Sequence, residues 1–211
     1  MTDSGDAPLS QRLRTATAEL HVRAERSGII FDIMRGRITR DSYALYLRNL
    51  LPAYAALEAG LRRHRATPGI GRIVFPELER APPIAADLDA LAGPEWETRL
   101  PVLPQAEEYA ARVVLDEGPG LIGHAYARYL GDLSGAQFMR RALVRTLGLG
   151  ASEQGFFDFP GIQDADAFKS GYRAALDAAG AELADPEVVV AAACSAFSCN
   201  IAVSEAVLAA A

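Results

Sequence analysis

A chain of 211 residues, half of them hydrophobic and 23% charged, is long enough to bury a core without cross-links; the balance excludes a disordered chain and a disulfide-stapled scaffold. A net charge of −6 gives no general attraction to nucleic acid or to an anionic membrane, so an anionic ligand must be met by a local cluster of cations. Cys194 and Cys199 lie five apart on one predicted helix and point different ways, which leaves them as free thiols and fits a cytoplasmic location. The polar start Met1 to Asp6 is not a signal peptide, and no apolar run is read as long enough to cross a membrane; neither membrane nor nucleic acid is an expected partner.

In chain order, residues 1–9 are expected to be disordered. Leu13, Thr17, Leu20, His21 and Ala24 then draw one stripe along a helix, which turns His21 to the interior with Glu25 one turn on. Thr39 can cap the next helix, with Asp41 in its first turn. Tyr43, Leu47, Leu50, Tyr54, Leu57 and Leu61 follow at alternating four and three, and Pro52 inside that pattern predicts a kink rather than a break. Arg62-Arg-His-Arg65 closes this helix as a solvated end or as a docking patch for an acidic partner. Thr67 to Gly71 reads as a turn, Pro83 to Leu91 as a short helix, and the segment around Trp96 as a loop. Helices over Gln105 to Leu115, Leu121 to Leu147, Asp164 to Ala179 and Pro186 to Leu208 complete the chain. No alternating strand pattern, internal repeat or phosphate-cradling glycine loop is present, so the expectation is an all-α single domain over 1–211.

Within the longest of these helices, Tyr126-Ala-Arg-Tyr-Leu-Gly-Asp-Leu-Ser-Gly-Ala-Gln137 holds two glycines four residues apart with a carboxylate between them. Glycine costs a helix interior about 1 kcal/mol relative to alanine, so Gly131 and Gly135, one turn apart on one face, imply that something flat or bulky comes close to the backbone there. This run closely resembles the distal-helix signature of the haem oxygenases. The resemblance extends through Leu20-His-Val-Arg-Ala-Glu25, Ile38-Thr-Arg-Asp41, Phe75-Pro-Glu77, His124, Phe157-Asp-Phe-Pro160, Phe168-Lys169, Tyr172-Arg173, and Phe197 with Asn200, in order along nearly the whole chain.

The resemblance implies a fold that holds haem between a proximal helix and a kinked distal helix, and oxidative opening of haem at the α-meso carbon to biliverdin IXα, carbon monoxide and ferrous iron. Haem is then both substrate and cofactor, and O2 the co-substrate. It makes His21 the iron ligand, with Glu25 accepting the imidazole's other N–H or standing beside it as a solvated neighbour. Asp132 would order waters next to bound oxygen, with Tyr54, Arg128 and Asn200 as partners. Arg14, Lys169 and Arg173 match the basic residues that clamp the haem propionates, and Tyr126 can donate to them. Ala18 and Ala136 depart from positions that are often lysine and glycine. Met34 and Phe197 would touch the ring edge or belong to the core, and His124 is expected to be a buried hydrogen-bonding residue. Electrons would come from a separate ferredoxin or a flavin or NAD(P)H reductase, since the chain has no flavin or nicotinamide fingerprint; a bilin-binding photoreceptor is a candidate product acceptor. Two competing readings are a haem carrier without turnover and a thiaminase-like hydrolase of the same helical superfamily, which needs a cysteine nucleophile in the central pocket.

Overall fold

The computed structural model describes residues 7–211. Positions 1–6 of the expected disordered start lie outside the described residues, but Leu9 is already buried as the first residue of a helix. Among the described residues all regular structure is helical, in a single-domain all-α fold. The elements are α1 (Leu9–Glu25), α2 (Gly28–Arg35), α3 (Arg40–Arg63), α4 (Ala81–Ala92), α5 (Trp96–Arg99), α6 (Pro104–Leu115), α7 (Gly120–Ala125), a π-helical turn (Tyr126–Leu130), α8 (Gly131–Leu147), α9 (Ala165–Glu182) and α10 (Glu187–Ala210). Single 3₁₀ turns at Ile70–Ile73, Pro76–Leu78, Ala151–Glu153 and Gly155–Phe157 punctuate the connections.

The α3 helix begins where its capping chemistry puts it. Thr39 Oγ1 accepts from the Ser42 backbone N–H at 3.1 Å, and Ser42 Oγ accepts in return from the Thr39 N–H at 2.9 Å. All six residues of its predicted stripe are buried, and the helix runs unbroken through Pro52. Packed against α3 are α4 and α6, with α10 on a further side.

The last helix, α10, is the hub, touching α1, α2, α3, α6 and α7. It is apolar on several faces because it is covered on several faces. By length and composition alone it could cross a membrane, which corrects the reading that no apolar run is long enough; 44% of its most apolar window is buried inside the fold. The α7–α10 contact is backbone to backbone. A Cβ added at Gly123 would stand 2.3 Å from the Val189 carbonyl oxygen and 2.6 Å from the Ala193 nitrogen, so only glycine allows this approach.

Three elements differ from the sequence reading, the first being the segment around Trp96, expected as a loop, which holds the single-turn helix α5 (Trp96–Arg99). The two-turn helix α2 was not expected; Ile29 and Ile33, four apart and buried, hold it, and Gly36 ends it in the left-handed conformation. The long helix expected from Leu121 to Leu147 keeps helical backbone angles at its junctions but changes its hydrogen-bonding at Tyr126–Leu130, where a π turn ends directly before Gly131.

Candidate active site

Between α1, α2, the π turn, α8, α10 and the Gly155–Phe157 turn lies a cavity of about 600 Å³, within the range of small-molecule sites. Its wall is mainly apolar, with Ile30, Phe31, Phe138, Met139, Phe157 and Phe197 prominent. The polar groups converge on two places.

The first is the end of α1. Leu13 and Thr17 are buried on the stripe, but one turn later the helix leaves the packed core, so His21 faces the cavity with its side chain 50% exposed rather than enclosed among core residues. Its Nδ1 is 3.5 Å from Glu25 Oε1 across one helical turn, and its ring is tilted against Phe197 with centroids 5.8 Å apart. With Nδ1 turned to the carboxylate, Nε2 is the nitrogen left for a ligand.

The second is a buried network behind the glycine run. Tyr54 Oη donates to Asp132 Oδ2 at 2.5 Å. Arg128 donates to the same hydroxyl through Nε at 2.9 Å and Nη2 at 2.6 Å, to Asp132 Oδ1 at 3.5 Å, and through Nη1 to Asn200 Oδ1. Burial raises the Asp132 pKa, against the opposing pull of Arg128 and the Tyr54 hydrogen bond. Burial likewise raises the Tyr54 hydroxyl and takes that of nearby Tyr46 up to about 12, so both phenols stay protonated. Asp132, Arg128 and Asn200 reach the cavity wall; Tyr54 stands one layer behind them.

Gly131 and Gly135 line the same cavity. Beyond the helix's own backbone and its chain neighbours, a Cβ at Gly131 would meet no protein atom within 4 Å, and one at Gly135 only Met139 Cγ at 3.9 Å. Packing within the protein therefore does not demand these glycines; the space they keep open belongs to the cavity.

The remaining expected site residues are divided. Met34 and Phe197 line the cavity. Arg14, Tyr126, Lys169 and Arg173 are not on its wall: Arg14 and Arg173 are exposed, Lys169 Nζ pairs with Asp166 at 2.8 Å, and Tyr126 Oη lies 3.5 Å from Thr17 Oγ1. Ala18 is exposed on α1, and the Ala136 side chain lies outside what the structure describes. Arg26, Arg35, Phe156 and Phe157 are on the wall and were not given a role from sequence. The signal was there for Phe157, within the Phe-Asp-Phe-Pro run, but its chemistry is only hydrophobic.

The Arg62 to Arg65 patch is largely spent locally, with Arg62 on Glu79 and both Arg63 and His64 on Glu117. A second basic surface is a shallow groove of about 480 Å³ lined by Gln137, Arg140, Arg141, Val144, Arg145 and Gln154. His124 is fully buried, away from the cavity, with Nε2 2.9 Å from Asp116 Oδ2; burial lowers its pKa, so it is a neutral donor to that carboxylate. Neither Cys194 nor Cys199 lines the cavity, and burial raises both thiol pKa values, which removes the nucleophile that a thiaminase-like reading requires.

A helical scaffold with a largely apolar cavity among the described residues, an imidazole on one element and a buried acid network on another has the makings of a small-molecule site. The comparisons give it a family. The family model described as "Heme oxygenase" matches residues 7–206. A haem oxygenase of Takifugu rubripes is 37% identical over 202 residues, covering 93% of this chain and 73% of the fish protein. Human haem oxygenase 1 is 35% identical, over 96% of this chain and 73% of its own. Among solved structures, the haem oxygenase of Leptospira interrogans superposes with a TM-score of 0.88 at 30% identity, over 95% of this chain and all of that one. Haem oxygenase-2 of Synechocystis, solved with haem and NO, gives 0.87 at 33% identity, over 95% and 85%. The chain belongs to the haem oxygenase family, whose members are enzymes that degrade haem.

Proposed function

We propose that the chain binds haem as its substrate in the cavity between α1 and α8, with His21 Nε2 as the iron ligand, and opens the ring at the α-meso carbon to biliverdin IXα with O2 and external electrons. The observation that carries this reading is the pair of open glycines, Gly131 and Gly135, on the cavity wall beside Asp132. They let a flat ring lie against the α8 backbone, and they bring it next to a buried acid. Phe31, Phe138 and Phe197 supply apolar surface for the ring.

Each polar residue then has a task. Glu25 orients the imidazole through Nδ1. Arg128 and Tyr54 hold the Asp132 carboxyl in one orientation, and Asn200 holds Arg128. Asp132 orders water at the ring face and passes protons through it, while its apolar surroundings keep other water out. Arg14, Tyr126, Lys169 and Arg173 hold the propionates from the α1 and α9 side, as the resemblance assigns them; Lys169 gives up Asp166, whose side chain is 92% exposed, to do so.

Electrons come from a separate donor, a ferredoxin or a flavin or NAD(P)H reductase. The groove at Arg140, Arg141 and Arg145 supports an acidic one, since Arg62, Arg63 and His64 are already paired with carboxylates. Free thiols at Cys194 and Cys199 support a cytoplasmic location, where a bilin-binding photoreceptor could take the product.

The test is aerobic turnover of the haem-loaded protein with a generic reductant, followed by chromatographic identification of the product. Biliverdin IXα with release of carbon monoxide is the expected result. A stable haem complex that never opens would leave only a carrier, and absence of a Soret band on haem addition would remove haem as the ligand.

A further inference from the structure

The segment between α8 and α9 carries Phe156 and Phe157 to the cavity wall, yet it has only two single 3₁₀ turns to hold them. Its place is set from α4 and the residue before it. The buried carboxylate of Asp87 accepts from the backbone N–H groups of Gly155 and Phe156, each at 2.8 Å. The buried guanidinium of Arg80 donates through Nη1 to the carbonyl oxygens of Asp158 at 2.5 Å, Phe156 at 3.3 Å and Gly155 at 3.4 Å, and it stacks on Phe159 at 3.9 Å. One side chain holds the donors of the turn and the other its acceptors.

Arg80 is itself tied down. Arg80 donates through Nη2 to the Glu77 carbonyl at 3.1 Å, and its own backbone N–H donates to Glu58 Oε1 of α3 at 2.5 Å. The turn packs closely at Gly155, where a Cβ would stand 3.1 Å from Asp87 Oδ1 and 3.3 Å from Pro83 Cβ. On the cavity side, the Phe156 ring meets Tyr54 edge-on, with centroids 5.9 Å apart and planes at 73°. Tyr54 is the donor to Asp132.

We propose that Arg80 and Asp87 are positioning residues for the reaction: they fix the Phe156–Phe157 wall and, through Phe156, the Tyr54 to Asp132 hydrogen bond, and so set which edge of the ring is presented to Asp132. The proposal rests on the reading of haem as the substrate. Neither residue lines the cavity. They act because buried charge-assisted hydrogen bonds fix backbone more firmly than neutral ones, and because a wall that selects between orientations of one ring must hold its place to a fraction of an ångström.

The experiment uses the full chain with Asp87→Asn, Phe156→Leu and the double variant. Asparagine keeps the volume of Asp87 but sets an amide NH2 against one of the two backbone donors. In the ligand-free protein, the Gly155 and Phe156 amides should exchange hydrogen on the order of tenfold faster, while those of α3 and α10 stay at the parent rate. In the ferric, cyanide-bound haem complex, the proton NMR pattern of the ring methyls, which reports rotation of the ring in its seat, should shift toward that of Phe156→Leu. The biliverdin isomer ratio should move with it, and the double variant should be shifted no further than Phe156→Leu alone. Faster amide exchange with a parent methyl pattern and isomer ratio would make the clamp merely structural and overturn the proposal; additive shifts in the double variant would overturn the route through Phe156. Should Asp87→Asn fail to fold, Arg80→Lys, which keeps the charge but has a single donor nitrogen, takes its place under the same readings. Failure of the haem reading is distinguishable, since a parent chain without a Soret band ends it, whereas amide exchange in the ligand-free protein reports the clamp either way.

Discussion

At Asp132, burial pushes the carboxyl toward its protonated form while Arg128 and the Tyr54 hydroxyl oppose that shift, and the proposed reading gives this group the task of passing protons through water. Replacing it with alanine should leave haem uptake nearly intact and lower single-turnover ring opening by about 10²–10⁴-fold, with peroxidase-like oxidation of an added donor rising in its place. A variant that forms biliverdin at the parent rate would pass the role to Arg128 or to backbone of the Gly131 turn. His21→Ala should still take up haem through ring burial but lose the parent ferric spectrum, and added imidazole should restore part of the activity; an unchanged spectrum would mean another ligand. His124 answers to a different observable. The unfolded histidine titrates near pH 6.5 and the folded one lower, because burial disfavours the cation despite Asp116. Between those values the unfolded state binds the extra proton, so stability falls as pH drops below about 6.5, by at most ~1.4 kcal/mol per pH unit from this group. Urea unfolding at several pH values should show a shallower acid-side slope for His124→Gln, and equal slopes would show that His124 is not the group responsible.

Within the distal helix, stability and function should separate. At Gly135 a methyl group meets only one atom, at van der Waals distance, so Gly135→Ala should raise helix stability by roughly 1 kcal/mol, which for a chain this size is a rise of about 2–4 °C in Tm. The same methyl enters the cavity, so haem affinity or turnover should fall. A variant both more stable and fully active would mean that the ring does not lie against this helix. Gly123→Ala is the contrasting case eight residues before Gly131. Its Cβ would collide with the α10 backbone, and a loss of about 3 kcal/mol or more is expected from denaturant unfolding. The two substitutions are chemically identical and differ only in what faces the glycine.

For the molecule as a whole, the proposed reading leaves two sets of cations as candidates to seat the ring. Arg14, Lys169 and Arg173 carry the resemblance, while Arg26 and Arg35 are the ones on the cavity wall besides the buried Arg128. Lys169→Ala with Arg173→Ala should weaken haem binding modestly and broaden the biliverdin isomer mixture; Arg26→Ala with Arg35→Ala should leave the mixture unchanged. The reverse pattern would assign the propionates to Arg26 and Arg35, at the end of α1 and on α2.

The sequence by itself determined the elements whose signal is local. The α3 stripe is legible because its apolar residues recur at the helical period, Thr39 because a cap is a three-residue interaction, and Gly131, Asp132 and Gly135 because glycine in an apolar helix contradicts local propensity. Contacts without a periodic or local signature were left to the tertiary structure. The π turn at Tyr126–Leu130 changes hydrogen-bond register without changing residue type, and α2 is too short for periodicity to register. A stripe gives His21 a direction but not what lies there, which is a cavity rather than packed core, and the composition of α10 does not tell which neighbours cover it. Arg80 and Asp87 are an ordinary cation and carboxylate in the chain; they become a clamp only when folding brings residues about 70 positions apart within 3 Å and leaves both charges away from water. What local periodicity could not carry was decided by long-range contact, because desolvation and hydrogen-bond geometry depend on the partner and not on the spacing along the chain.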